Sequence, residues 1–214
     1  ESVTGGEIRG RYSIIGLKPD LIWRCRGRTS EINREARFDH NSFAPQEGNP
    51  LDGLRALIAE CRIDMPADLP SAAAGLFGYL GYDMIRLVEH LPDINPDPIG
   101  VPDAVMIRPT VVAVLDGVKG EVTLVSPAWV NSGLSARAAY AQAAERVMDA
   151  LRDLERPVSS THRELSGAAH VGAPVSNFTK DGYLAAVEKA KDYIKAGDIF
   201  QVVPAQRWAQ DFTL

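Results

Sequence analysis

The sequence predicts an α+β fold whose core is rich in antiparallel strands. Turn-forming residues divide positions 11–33 into three short runs, which is typical of a β-meander. A second pair of apolar runs flanks the turn at 116–120, and two longer stretches have the spacing of amphipathic helices. Hydrophobic residues make up 45% of the 214 positions, which is sufficient for a substantial core.

The predicted meander has strands at residues 11–16, 21–26 and 29–33. Lys18-Pro19-Asp20 separates the first two strands, and Gly27-Arg28 separates the second and third. Proline, aspartate and glycine are typical turn residues, because they preset or tolerate the backbone angles that turns require. We therefore expect three consecutive strands joined by tight turns.

A short amphipathic helix is predicted at residues 50–62. Asn49 is a good N-cap, and Pro50 suits the first helical position, where no backbone N–H is needed. The apolar positions at helical spacing are Leu51, Leu54, Ile58 and Cys61.

Three glycines at a period of three, Gly75, Gly78 and Gly81, predict a strand that passes close to another backbone and then enters a helix at 83–90. Further on, residues 111–115 and 121–126 predict a hairpin. Pro109 cannot donate a ladder hydrogen bond, so it places the first hairpin strand toward a sheet edge.

Two helices enclose a stretch without periodicity. The first is predicted at 135–155, with an apolar stripe of Val147, Leu151 and Leu154, and Pro157 prevents its continuation. Residues 157–176, rich in small and polar residues, are predicted to be an exposed linker.

The second helix starts at the N-cap Thr179 and ends at Gly197, which leads into a predicted buried strand at 199–203. These elements predict an N-terminal domain at 1–156, the linker at 157–176 and the beginning of another domain at 177–214. Because a lone strand leaves its N–H and C=O groups unpaired, and because Glu1 is not an initiator Met, we expect the chain to be part of a larger protein.

Composition argues against several functional classes. The formal net charge is −5, and no run of like charge is long enough to suggest a nucleic-acid or lipid partner. No apolar stretch approaches the roughly 20 residues needed to cross a bilayer, so we expect a cytoplasmic location. Cys25 and Cys61 are expected to be buried thiols, and the four dispersed histidines predict no metal site.

Two groups of polar residues remain open to more than one interpretation. Gln201, Gln206 and Arg207 lie on or beside the apolar strand, where each would be either hydrogen-bonded in the core or directed into a cavity. Glu1 and Ser2, near Gly5-Gly6, would either bind a small amine or form an exposed turn. No nucleophile with a base and no phosphate-binding loop is present.

Several motifs are nevertheless specific when taken together. In their order and spacing they resemble the large subunit, component I, of the anthranilate synthase family, over nearly the whole chain. The motifs are Glu1-Ser2 followed by Arg11-Tyr12-Ser13-Ile14-Ile15-Gly16, then Asn49-Pro50-Leu51, Gly75-Leu76-Phe77-Gly78-Tyr79-Leu80-Gly81-Tyr82-Asp83 and Gly197-Asp198-Ile199-Phe200-Gln201-Val202-Val203-Pro204.

The resemblance implies antiparallel sheets packed face to face as a sandwich, with helices outside. It implies an enzyme that converts chorismate and ammonia to anthranilate and pyruvate, with Mg²⁺ at the substrate carboxylate and ammonia delivered by a glutamine amidotransferase subunit. Glu1 and Ser2 match the end of the family motif for tryptophan feedback. Gln201 stands where related isochorismate-type enzymes have a water-activating lysine, so its amide would favour ammonia over water.

The same resemblance places the Mg²⁺ ligands and the catalytic histidine outside these residues, so the chain alone is expected to be inactive. Two other interpretations stay open. The large subunit of aminodeoxychorismate synthase shares the scaffold and also uses ammonia. Alternatively, the chain is an autonomous amino-acid-binding regulatory module that docks the amidotransferase.

Overall fold

The computed structural model describes residues 10–129, 133–157 and 172–211. The chain divides into two compact units, Glu1–Pro157 and Val158–Leu214, called here the N-terminal and C-terminal units. Glu1 and Ser2, predicted to contact an inhibitor, lie outside the described residues. So do residues 158–171, the larger part of the predicted linker.

A six-stranded antiparallel sheet forms the N-terminal unit. Its strand order is β3-β2-β1-β5-β4, and β6 also pairs with β5. β4 pairs with the start of β5 and β6 with its end, so β5 is the central strand. The strands are β1 (Tyr12–Arg26), β2 (Thr29–Asn33), β3 (Ala44–Gln46), β4 (Phe77–Leu80), β5 (Ala104–Asp116) and β6 (Glu121–Val125).

The predicted turn at residues 18–20 is wrong. β1 is one 15-residue strand, and its pairing with β5 shifts register between Pro19 and Leu21. Lys18 adopts φ 50°, and its carbonyl accepts a 2.7 Å hydrogen bond from the Thr110 hydroxyl. Because β5 runs beside β1 along its whole length, the turn-forming residues produce a bulge-like irregularity instead of a reversal.

The prediction that Pro109 marks a sheet edge is also wrong, because Pro109 is fully buried in the central strand. Its neighbour across the ladder is Pro19. Neither residue has a backbone N–H, so neither donates a ladder hydrogen bond at this position.

Two helices accompany the sheet, α1 (Pro50–Glu60) and α2 (Ala136–Glu155). The predicted N-cap of α1 is confirmed: the Asn49 side chain accepts a 2.9 Å hydrogen bond from the Leu51 N–H. The helix predicted at 83–90 is instead a 3₁₀ helix, Tyr82–Leu87. The principal core combines strand and helix residues: Leu21, Trp23, Cys25, Ile32, Leu54, Leu57, Cys61, Met84 and Ala104.

The predicted apolar stripe of α2 does not face the core. The buried residues of this helix are Ala139, Ala143 and Ala150, whereas Leu154 is 62% exposed and Leu151 is 41% exposed. Small side chains allow the helix to approach the sheet closely, which places the larger residues on its other side. The prediction, which took the largest apolar side chains as the buried ones, therefore chose the wrong face of α2.

The C-terminal unit contains β7 (Val175–Ser176), α3 (Lys180–Ala196) and β8 (Trp208–Ala209), with β7 and β8 antiparallel. Thr179 caps α3, and Gly197 ends it with φ 83°, both as predicted. Residues 199–203 are not a strand, contrary to the prediction. They have no ladder partner within the described part of the chain, and apolar composition alone does not maintain a strand.

The predicted antiparallel sheet with flanking helices is confirmed within these units. Face-to-face packing of two sheets stays a prediction. The predicted burial of both cysteines is confirmed, since Cys25 and Cys61 are free and buried.

Candidate functional site

Gln201 is exposed, in the extended segment between α3 and β8. Gln206 and Arg207 are exposed too, so none of the three is buried in a core, the first of the two environments expected for them. Gln206 has the second, because it lines a cavity of about 300 Å³ together with Ser176 and Trp208. The Arg207 backbone is held by Asn177, whose Oδ1 accepts a 2.8 Å hydrogen bond from the Arg207 N–H. The segment is thus anchored at its far end, while Gln201 is presented at the surface.

An apolar cavity of about 310 Å³ lies between α3 and the segment that carries Gln201. Tyr183 lines it and donates a 3.1 Å hydrogen bond to the Pro204 carbonyl, which ties the segment to the helix. Phe200 is 93% exposed beside it. Lys189 is the ionisable amine in the lining, so this cavity suits an apolar group and offers no acid–base pair.

The N-terminal unit has a more polar cavity of about 340 Å³ against the sheet and α2. We call it the arginine cavity, because four arginines line it. Apolar side chains and two carboxylates complete much of the wall. The lining residues are Asp20, Arg34, Glu35, Arg37, Phe38, Arg108, Thr110, Trp129, Leu134, Ala139, Gln142 and Arg146.

Arg108 of β5 is held by two neighbours, Asp20 and Trp129. Its Nε and Nη2 donate hydrogen bonds of 2.8 and 3.0 Å to the two Asp20 carboxylate oxygens. Its Cζ lies 4.7 Å from the centroid of the Trp129 ring, within the range of a cation–π contact. Because both charges of this pair are on neighbouring strands, Arg108 is a rigid wall of the cavity.

A second pair, Arg34 with Glu60, borders the same region through two 2.7 Å hydrogen bonds. These bonds hold the pKa of Glu60 below its usual value. Cys61 Sγ lies 3.8 Å from Arg108 Nη1. Burial nevertheless raises the pKa of the Cys61 thiol, so it has little thiolate character and is unsuited to nucleophilic attack.

The other two arginines of the cavity, Arg37 and Arg146, are not paired with a carboxylate in this way. No carboxylate of the described ranges lies within 4.0 Å of either guanidinium. Arg146 donates to Ser126 Oγ at 2.9 Å and to the Pro127 carbonyl at 3.2 Å. Burial and the nearby charge of Arg37 lower the pKa of Arg146, with Asp20 opposing them.

Sequence reasoning missed the arginine cavity because its arginines are far apart in the chain and come from separate elements. The available signal was Arg108 within the apolar run of β5, since a charged residue in a buried strand requires a partner. The arginine cavity is suited to binding an anion, because arginine supplies hydrogen-bond donors and positive charge but no acid–base function near neutral pH.

A cavity of about 700 Å³ also lies beside the 3₁₀ helix, and several of its charged groups are engaged in loop contacts. Arg86 donates to Asp83 Oδ1 and to the carbonyls of Leu91 and Pro92. Asp103 accepts a 2.6 Å hydrogen bond from the Gly27 N–H. These contacts hold the loops together, so this cavity has a structural explanation.

Within residues 10–129, 133–157 and 172–211, no group of three or more His, Cys, Asp or Glu residues could hold a metal ion. A search of the same ranges finds no helix with the length and hydropathy to span a membrane.

Comparison with a solved structure relates the fold to that of a known enzyme subunit. The chain matches the crystal structure of anthranilate synthase component I from Streptococcus pneumoniae TIGR4 with a TM-score of 0.65 and 23% sequence identity. The match covers 92% of this chain and 41% of that chain. At this identity the comparison identifies the fold.

Sequence comparison then identifies the family. Residues 18–214 match the family described as chorismate binding enzyme, and the chain belongs to that family. It is 76% identical over 214 residues to "Anthranilate synthase component 1" of Cereibacter sphaeroides, covering all of this chain and 43% of that protein. The protein with the same name from Neisseria meningitidis serogroup B is 35% identical over 219 residues and is covered to 42%. The chain thus spans less than half the length of these relatives.

Proposed function

We propose that the whole protein to which this chain belongs converts chorismate and ammonia to anthranilate and pyruvate. One observation carries the proposal: the 76% identity to an anthranilate synthase component 1 extends over every residue of the chain. The glycine-rich strand and residues 197–204, which carry the family resemblance, are both present here.

In this proposal the chain is a scaffold and is inactive by itself. The described residues contain no metal-binding cluster, and the cavities of both units lack a base paired with a nucleophile. Mg²⁺ would be bound by residues outside these ranges. The chain contributes the segment 199–205, which holds Gln201 at the surface of the C-terminal unit.

The partner would be a glutamine amidotransferase subunit that releases ammonia. The name component 1, carried by the relatives, is consistent with a second component. Tryptophan would act as a feedback inhibitor, with Glu1 and Ser2 contributing part of its site. Both functions are proposals for the whole protein.

Anthranilate fluorescence tests this function in the whole protein supplied with chorismate, Mg²⁺ and an ammonium salt. We expect a fluorescent product that tryptophan suppresses. Product that appears only after an aminodeoxychorismate lyase is added would contradict the proposal and favour the aminodeoxychorismate alternative. A chain comprising residues 1–214 alone is the matched control and should give no product.

A further inference from the structure

The arginine cavity has the features of a binding site that the proposed function does not use. Its volume of about 340 Å³ lies at the lower end of the roughly 300–1,000 Å³ typical of small-molecule sites. All its lining residues belong to the N-terminal unit. Gln201 is not among these lining residues.

The charges of the cavity are not balanced by protein carboxylates. Asp20 pairs with Arg108, and Glu60 pairs with Arg34. Arg37 and Arg146 have no such partner in the described ranges, although the Glu35 carboxylate is part of the lining. Arg37 and Arg146 are therefore two positive side chains without a paired carboxylate in these ranges, although the net charge of the chain is negative.

Arg146 retains donors for a ligand. Guanidinium has five N–H donors, of which only the Nε–H and one Nη2–H donate to Ser126 and Pro127. Those two bonds fix the orientation of the group, so that little freedom is lost when an anion binds. A smaller cavity of about 240 Å³ places Glu145 and Asp149 near the same two arginines, but neither is within 4.0 Å of them.

A second observation points to a ligand. The indole Nε1 of Trp129 is buried and has no hydrogen-bond acceptor among the described residues, although Trp129 lines the cavity. A buried donor without an acceptor is destabilising, and a bound oxygen acceptor would satisfy it. Phe38 and Leu134 provide apolar surface in the same lining.

We propose that the arginine cavity binds a small carboxylate with a planar or apolar body. The carboxylate is held between Arg37 and Arg146, with one oxygen accepting from the Trp129 indole N–H, and the body lies against Leu134 and Phe38. A planar carboxylate can accept two parallel hydrogen bonds from a guanidinium. Its apolar body also suits the partly apolar wall, which a tetrahedral anion such as phosphate does not.

The probe is benzoate, with benzamide as its uncharged isostere, in calorimetric titrations of the whole protein. We expect benzoate to bind at least about tenfold more tightly than benzamide, because a charged hydrogen bond is lost in the amide. Arg37→Gln and Arg146→Gln should each weaken benzoate binding by about tenfold. Arg55→Gln, which changes a guanidinium that is 71% exposed on α1, should leave it unchanged.

Equal binding of benzoate by all four proteins would overturn the proposal, since the ligand would then occupy another site. Binding of inorganic phosphate at equal strength would overturn the carboxylate class. Arg37→Gln protects the test against misfolding, because Arg37 is exposed and lies outside the core. The Trp129 indole N–H resonance, assigned by its loss in Trp129→Phe, should shift on addition of benzoate to the parent protein, and no shift would contradict a ligand at this wall.

Discussion

At the residue scale, Gly78 is the described glycine at which an added Cβ would come closest to a neighbouring strand. A Cβ at Gly78 would lie inside the van der Waals distance of the Val105 carbonyl oxygen on β5, and one at Gly81 would lie 2.9 Å from the Asp103 carbonyl oxygen. The prediction that the periodic glycines allow close backbone approach is confirmed at these two positions. Gly75 has open space around it and instead adopts φ 141°.

Replacing Gly78 with alanine should therefore separate β4 from β5. We expect Gly78→Ala to lower the free energy of unfolding by about 2–3 kcal/mol, because the obstructing atoms belong to backbone and cannot rotate away. Urea denaturation measures this change. Gly172→Ala, which places a Cβ in open space, is the control, and equal effects of the two substitutions would contradict the account.

The lowered pKa of Asp116 predicts that the stability of the protein depends on pH. Hydrogen bonds from Arg11, with further bonds from the Val118 and Lys119 N–H groups, hold the pKa of this carboxyl far below its usual value of 3.8. A folded-state pKa below the unfolded value stabilises the protein above the unfolded pKa, and this stabilisation is lost as the pH falls through the folded pKa.

Asp116→Asn keeps an oxygen acceptor for the turn and removes the charge. The parent protein should be more stable than this variant by a constant amount from pH 7 to about pH 5, and the difference should shrink below about pH 4. Denaturant titrations at stepped pH measure it. A difference that grows as the pH falls would show that the ion pair is not its source.

Substitution of Gln201 tests the proposal that this residue favours ammonia over water as the nucleophile. In the whole protein, Gln201→Lys should raise the yield of water-dependent side products relative to anthranilate, because an amine with a lowered pKa can act as a base and a neutral amide cannot. Chromatographic product ratios measure this change. Gln206→Lys, at another exposed amide of the same segment, is the control. An unchanged ratio in Gln201→Lys would contradict the role.

At the element scale, sequence predicted what depends on local chemistry. Asn49 and Thr179 begin their helices, and Gly197 ends α3, because a cap needs only its own side chain or backbone angle. The errors concern elements that depend on distant partners. Pro109 lies in the central strand because β1, β4 and β6 all pair with β5, and residues 199–203 lack a ladder partner in the described ranges.

The cap of α3 gives a local prediction. Thr179 Oγ1 accepts a 3.1 Å hydrogen bond from the Gly182 N–H. Thr179→Ala should destabilise the C-terminal unit by about 1 kcal/mol, whereas Thr179→Ser should retain most of the stability. Hydrogen exchange of amides in the first turn of α3 measures both. Faster exchange in the serine variant than in the alanine variant would contradict a capping role.

At the scale of the whole molecule, the two units contain different candidate sites. The N-terminal unit is organised around the central strand β5, whose Arg108 is also a wall of the arginine cavity. The site could not be predicted from sequence, because Arg37, Arg108 and Arg146 meet only after the strands and α2 pack. The family resemblance, by contrast, was predictable, since it rests on short contiguous motifs.

The most direct test of the central claim is mass spectrometry of the products formed by the whole protein from chorismate and ¹⁵N-labelled ammonium with Mg²⁺. The account predicts ¹⁵N-labelled anthranilate and an equal amount of pyruvate, because one amination and one loss of the enolpyruvyl group occur in each turnover. Labelled aminodeoxychorismate without pyruvate, or an unlabelled hydroxylated product, would contradict it.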